Sequence, residues 1–352
     1  MRGSKGMALT GVLVLAAALI ATGCGEDSGS KSKGAGATGS AAKAKRACTK
    51  VKGKAKGATI AYMPPGLEFP YYIGIGKGVK MAAEKYGHKT FTLGPQSGSD
   101  YAGQAAMMRD VIQRGVDGII FHTHNNSAVA PLVKQASDQG IAVVIVNQDI
   151  PTFPAPVNGV VGYKERKTDR KMGGYAVKLA HGKATIGVIQ GLPGYDSTER
   201  VGGFLDGIKG EPGMKVVAKS PGGWDVQGGN KTAMDMLQAH PDIDMIFAAN
   251  DYMAEGALQA AKALHRDKVT ILGSDGDTRA LELINQGGQY RATMNTVPVQ
   301  QGETAMKVMD ECLNRRFKGF YIETPGVLVT KANVLNVLKD YDQLWPKPSH
   351  RY

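Results

Sequence analysis

The stretch DGIIFHTHNNSAVAPLVKQASDQGIAVVIVN, residues 117–147, decides the fold class. It opens on a short apolar run, DGIIFHT, and closes on another, IAVVIVN. Between them AVAPLVKQASDQG carries apolar residues at helical spacing and stops at Gly140, a residue type that ends helices because it enters the left-handed region without penalty. A strand, a helix and a second strand at this interval make a βαβ unit, and such units build parallel sheets.

The same rhythm fills the chain outward from there. Before the unit come strand ATIAYM (58–63), helix YYIGIGKGVKMAAEKYG (71–87), strand KTFTL and helix AGQAAMMRDVIQRG. After it a proline-rich patch, IPTFPAPVNG (150–159), interrupts. Alternation restarts with a helix near 168–182 and runs through strands ATIGVIQ, MKVVAKS, DMIFAAN, KVTILGSD and YRATMN, with helices between them. At about 100–200 residues per domain, this length suits two units of similar size. The expected class is α/β, with two doubly wound parallel-sheet lobes.

The 43 Lys and Arg against 31 Asp and Glu give a net charge of +12, which invites a nucleic-acid reading. Residues 1–57 carry +9 of it. The remaining body is near neutral and lacks the basic stripe of a nucleic-acid-binding domain, so no nucleic-acid partner is expected. With 42% hydrophobic and 21% charged residues, wholesale disorder is excluded as well.

The leader itself reads as a targeting signal. Arg2 and Lys5 precede an uncharged stretch, residues 7–22, that suits a secretory apolar region and is too short to span a bilayer stably. It ends in Ala21-Thr22-Gly23-Cys24, which resembles a bacterial lipobox with Cys24 as the lipidation point, although Ala21 stands where Leu is usual. Residues 1–23 are then a lipoprotein signal peptide and 24–57 a flexible basic tether of Gly, Ser, Ala and Lys. The expected location is extracytoplasmic, anchored to the cell membrane. Such a compartment permits a disulfide between Cys48 and Cys312, but sequence offers no distance and the reading leans to two free thiols.

Ligands of open α/β sheets bind at the carboxyl ends of the strands. Those ends read PPGLEFPYY, HTHNN, NQD, GLPGYDSTER, NDYM and SDGD. Aromatic faces stack on the C–H faces of sugars, while amides, carboxylates and a guanidinium pair with hydroxyls.

At this point the chain resembles the periplasmic sugar-binding proteins of ABC transporters, of the ribose-binding-like type. The likeness runs over nearly all of 58–330. It is carried by Phe69-Pro70-Tyr71-Tyr72, by GVDGII (115–120), by ERVGGF (199–204), by Ala249-Asn250-Asp251 leading into Met253-Ala254, and by Gly273-Ser274-Asp275-Gly276. The resemblance implies the type I periplasmic-binding-protein fold, two lobes joined by a three-segment hinge. One lobe would take 58–162 with 297–325 and the other 163–296 with 326–345. It also implies a monomer without cofactor that closes on one sugar and is met by an ABC permease in the membrane.

Carried over one residue at a time, Tyr71 and Tyr72 fall on stacking aromatics of one lobe and Trp224 on that of the other. Arg200, Asn250 and Asp275 fall on polar ligand contacts. Phe69 stands where ribose binders place a hydrogen-bonding Asn, Asn147-Gln148 replaces an Asp-Arg pair, and Thr296 replaces a Gln. These departures rewrite the hydroxyl pattern and argue against ribose itself, leaving a monosaccharide or related polyol. His122 and Asp149 complete the candidate set. The run Gly94-Pro95-Gln96 with Asp100 and Gln104 also looks like the rhamnose and autoinducer-2 branch, and a sensor that presents such a ligand to a membrane receptor is the alternative function.

Each residue has a plainer role open to it. Tyr71 and Tyr72 suit a helix-start core, Trp224 a surface loop, Asp275 a turn, Asn250 a helix cap, and Arg200 a pairing with Glu199 or Asp196 on its own helix. His122 and His124 form an HxH, but no third ligand is visible, so no metal is expected. GIGKGV lies inside a helical run rather than ahead of one, and neither a Gly-x-Ser-x-Gly elbow nor an HExxH is present. Nothing here calls for an enzyme. A repressor core is excluded too, because the leader cannot form a helix-turn-helix.

Overall fold

The computed structural model describes residues 45–339. The signal segment, Cys24 and the first part of the tether lie outside the described residues.

Strands β1 (Thr59–Met63), β2 (Lys89–Thr92), β3 (Gly118–Phe121), β4 (Ala142–Val146), β5 (Gly159–Gly162) and β11 (Tyr321–Glu323) form one sheet. Its order is β11-β5-β4-β3-β1-β2, and every pairing is parallel. Each residue of β3 and β4 is buried, because helices cover both faces. Alternate residues serve the two sides. Ile120 and Val144 join Ile75 and Val79 of α1 (Pro70–Tyr86) and Met306 and Met309 of α9 (Pro298–Leu313). Ile119 and Val143 join Met108 and Val111 of α2 (Tyr101–Gln113) and Val129 and Val133 of α3 (Asn126–Gln139).

The second sheet contains β6 (Ala184–Gln190), β7 (Met214–Pro221), β8 (Met245–Ala248), β9 (Thr270–Leu272), β10 (Tyr290–Asn295) and β12 (Val327–Thr330). Its order is β12-β10-β9-β8-β6-β7, with only β12 antiparallel to its neighbour. Helix α4 (Glu165–Leu179) packs on α5 (Tyr195–Ile208), and α6 (Val226–Ala239) on α7 (Asp251–Ala263). Helices α8 (Thr278–Gln286) and α10 (Val334–Lys339) pack against each other. The chain passes between the sheets after β5, after β10 and after β11. The expectation of two doubly wound parallel-sheet lobes is borne out, and the strand ends of both face one cleft.

Two expectations about the segment before β1 need correction. From Lys45 onward the chain read as a free tether is docked on the first lobe. Arg46 N donates to the Val157 carbonyl at 2.8 Å, Lys52 N to that of Gly140 at 2.8 Å, and Lys54 N to Asp117 Oδ1 at 2.8 Å. Val51 and Cys48 are buried, which gives this polar segment an apolar foothold its composition hides. Cys48 is moreover bonded to Cys312 in α9, with Cα atoms 5.0 Å apart, and not a free thiol. The two are 264 residues apart, a distance that only the completed lobe closes.

The run resembling the rhamnose and autoinducer-2 branch serves the scaffold. Asp100 caps α2 by accepting from Gly103 N at 2.8 Å. Gln104 donates to the Pro64 and His122 carbonyls at 3.0 and 2.7 Å, tying the ends of β1 and β3 together.

Candidate functional site

A narrow, nearly closed cleft between the lobes is lined by Phe69, Tyr71, Tyr72, His124, Asp196, Arg200, Trp224, Asn250, Tyr252 and Asp275. Seven of these were singled out from sequence, and the fold brings them together because each sits at a strand's carboxyl end or in the first turns of the helix that follows.

The first lobe supplies mainly rings. Tyr71 and Tyr72 open α1, with centroids 5.4 Å apart and planes near perpendicular, and Phe69 lies edge-on to Tyr72 at 6.0 Å. The Tyr71 hydroxyl is already committed to protein. It donates to Asn147 Oδ1 at 2.8 Å, lies 2.9 Å from Thr296 Oγ1, and accepts from Gln301 Nε2 at 2.8 Å. Asn147 and Thr296 therefore stand behind the lining and fix Tyr71. Asn147 Nδ2 also reaches the Tyr72 hydroxyl at 3.4 Å.

The second lobe supplies Trp224 and an ion pair. Trp224 holds φ +76°, unusual for a residue with a Cβ, and this turns the indole into the cleft. It lies against Gly191, where any Cβ would run into the indole. Asn250 Oδ1 caps α7 by accepting from Met253 N at 2.9 Å, while its Nδ2 donates to the Trp224 carbonyl at 2.9 Å. The cap reading of Asn250 thus holds alongside its place in the lining. The neighbouring Asp251 points back and accepts from Gly276 N, Asp277 N, the Tyr290 hydroxyl and the Thr293 hydroxyl at 2.7–2.8 Å. That network sets the turn carrying Asp275, whose φ is +135°.

Arg200 donates through Nη1 to Asp275 Oδ1 at 2.7 Å and to the Ala249 carbonyl at 3.0 Å. Its guanidinium lies 5.4 Å from the Trp224 ring. Both charged side chains are nearly excluded from solvent, at 4% and 5% exposed. Burial pushes the Asp275 carboxyl up to about 7, against the pull of Arg200. Arg200 thus pairs across its lobe rather than along its helix, and Glu199 turns to Arg166 at 3.8 Å.

Other predicted residues lie around the lining. His122 is fully buried, with Nδ1 at 3.1 Å from the Val146 carbonyl. Gln148 Nε2 is 3.4 Å from Asp196 Oδ2. Asp149 accepts from the Tyr195 hydroxyl at 2.9 Å, a bond between the lobes.

Sequence reasoning left Asp196 and Tyr252 out of the set and noted His124 without choosing it. His122 Nε2 and His124 Nδ1 lie 3.3 and 3.6 Å from Asp196 Oδ2, so the histidines of the first lobe meet an acid of the second. Burial would raise the Asp196 carboxyl, yet the two histidines hold it well below the usual range, while burial lowers His124. The position of Asp196 in the first turn of α5, the turn that follows β6, was the available signal.

Comparison with known proteins agrees with this geometry. The family model described as a periplasmic binding protein domain matches residues 60–316. The D-ribose/D-allose-binding protein of Pseudomonas aeruginosa is 30% identical, over 77% of this chain and 88% of its own. Among solved structures, an ABC transporter solute-binding protein from Mycobacterium smegmatis with bound glycerol is 25% identical, covers 80% of this chain and 96% of its own, and has a TM-score of 0.75. A Caulobacter myo-inositol binding protein bound to myo-inositol is likewise 25% identical, with 82% and 98% covered and a TM-score of 0.75.

Proposed function

The chain belongs to the periplasmic binding protein family, and from that premise we propose that it captures a monosaccharide or related polyol between its lobes and delivers it to an ABC importer. Membership places it among binding proteins rather than enzymes. The observation that carries the proposal is convergence. Phe69, Tyr71 and Tyr72 of the first lobe meet Trp224, Arg200, Asn250 and Asp275 of the second in one cleft. Flat apolar faces and an ordered set of donors and acceptors are the two needs of a polyhydroxylated ring. Only the closed arrangement offers both, so ligand shifts the population toward closure and the closed form is what the permease meets. The passages near 162–163, 296–297 and 325–326 act as the hinge.

The relatives favour ribose, allose or myo-inositol as starting points, and the ABC transporter solute-binding protein among them favours an import role over sensing. Phe69, Asn147-Gln148 and Thr296 argue for a ligand other than ribose. Asn147 and Thr296 act through Tyr71 rather than by direct contact, and Phe69 offers a ring where ribose binders offer an amide. A thermal-shift screen of monosaccharides and polyols is the direct test, since a ligand that binds only the native state raises its stability. A panel with no stabilising member overturns the reading. We read Cys24 as the lipid anchor, so Cys24→Ser should release the mature protein from the membrane fraction, and identical fractionation would remove the lipoprotein assignment.

A further inference from the structure

The polar cluster where the lobes meet has the chemistry of a metal site. His122 Nδ1 faces the Val146 carbonyl at 3.1 Å, and a carbonyl can only accept, so Nδ1 carries a proton and Nε2 is the nitrogen left to meet Asp196 or an ion. That Nε2 is buried and stands 3.3 Å from Asp196 Oδ2, an ion pair when the ring is protonated and a place for a metal ion when it is not. His124 Nδ1 stands 3.6 Å from the same oxygen, and the three donor atoms all lie within 4.8 Å of one another. Donors bound to a tetrahedral ion at about 2.0–2.1 Å stand about 3.3–3.4 Å apart, close to the 3.3 and 3.6 Å that separate Asp196 from the two histidines. A carbonyl holding the far nitrogen of a ligating imidazole is the usual outer support of such sites. The Trp224 ring, stacked on His124 at 5.9 Å, and the Tyr72 ring, 5.0 Å from His122, hold the imidazole planes.

Charge and donor type select the ion. Two imidazole nitrogens and a carboxylate oxygen suit zinc and its neighbours, whereas magnesium and calcium ask for oxygen throughout. The nearby cation, Arg200, disfavours positive charge at His124, an effect that its pairing with Asp275 at 2.7 Å and the Asp196 carboxylate counter. His124 and Asp196 both line the cleft, so a fourth position opens toward the pocket. We propose that His122, His124 and Asp196 form a zinc-class divalent metal site that joins the two lobes, the histidines coming from the end of β3 and the acid from the first turn of α5.

The test uses the full chain, stripped with a chelator and titrated with Zn²⁺ by calorimetry and thermal shift, with Mg²⁺ as the comparison ion. Expected are one Zn²⁺ per chain, a raised melting temperature, no response to Mg²⁺, and at least tenfold weaker binding in His124→Gln and in Asp196→Asn. Co²⁺ added to the parent chain gives the visible absorption of a four-coordinate site, a readout that needs no variant. Zn²⁺ affinity unchanged in both variants would put the ion on other histidines and overturn the proposal, as would a featureless Co²⁺ spectrum or equal binding of Mg²⁺. The sugar screen, run in chelator, is read separately, so failure of either reading leaves the other standing.

Discussion

The indole of Trp224 stacks on the imidazole of His124 with centroids 5.9 Å apart and planes 22° from parallel, so the aromatic of the second lobe has its partner in the first. At that separation the two rings are in mutual contact, and a ligand ring entering there must part them. Binding should therefore change the surroundings of Trp224 directly. We expect a change in intrinsic fluorescence on addition of the ligand found by screening, absent in Trp224→Phe. Trp224→Ala should weaken binding by about 1–3 kcal/mol, the range for a buried aromatic anchor. Calorimetric affinity equal to that of the parent would remove Trp224 from the binding set.

The Arg200–Asp275 pair changes what a truncation there should do. Were the two residues surface partners of a ligand, removing either would spare ligand-free stability. Both side chains are buried and joined at 2.7 Å, so a single removal strands a charge in the interior, at a cost of about 3–5 kcal/mol. Arg200→Ala and Asp275→Ala should each lower the ligand-free melting temperature as well as affinity. The double change Arg200→Met with Asp275→Leu should recover much of the stability and none of the binding. A double variant less stable than either single one contradicts this account.

Which features sequence could show follows from their range. The βαβ rhythm is local, and buried parallel strands such as GIIF and AVVIV announce themselves as apolar runs. Strand ends then locate Phe69, Tyr72 and Asp275 by topology, whereas Trp224 entered only through the resemblance to sugar-binding proteins. Partnerships are another matter. Helical spacing offers Arg200 only Glu199 and Asp196, while its partner Asp275 comes from the loop after β9. The meeting of Asp196 with His122 depends on how far the lobes close, which no local pattern encodes. Asn250 and Asp251 are adjacent, and one caps the helix while the other ties down the turn carrying Asp275. Their residue types fit both arrangements.

The Cys48–Cys312 link gives a third test. It ties the segment leading into β1 to α9, with Cys312 fully buried and Cys48 nearly so. Removal of a native disulfide costs about 2–5 kcal/mol. Cys48→Ala with Cys312→Ala should lower the denaturant midpoint accordingly and expose residues 45–57 to protease. An unchanged midpoint and cleavage pattern would show that the hydrogen bonds of Arg46 and Lys52 hold the segment unaided.

The last prediction concerns pH and rests on carboxyls outside the ring cluster. Burial pushes Asp169 up to about 7 and Asp251 up to about 8, Asp275 adding to the second. Unfolded, both titrate near 3.9, so above that value the folded chain holds protons that the unfolded chain has released. Stability then falls as pH rises through the folded values. His124 opposes this at lower pH, since burial depresses it and its contribution is lost as pH falls below about 6.5. The window is therefore pH 6.5 to 8.5, across which the opposing His124 contribution fades as the unfolded imidazole loses its proton. Across it, in chelator, ligand-free stability should drop by about 1–3 kcal/mol, a few degrees in melting temperature. Asp169→Asn removes one titration while keeping a group of the same shape beside Ser274, and it should reduce the slope. A melting temperature that holds or rises over this window, or a slope left whole in Asp169→Asn, would show that these carboxyls are ionised in the fold.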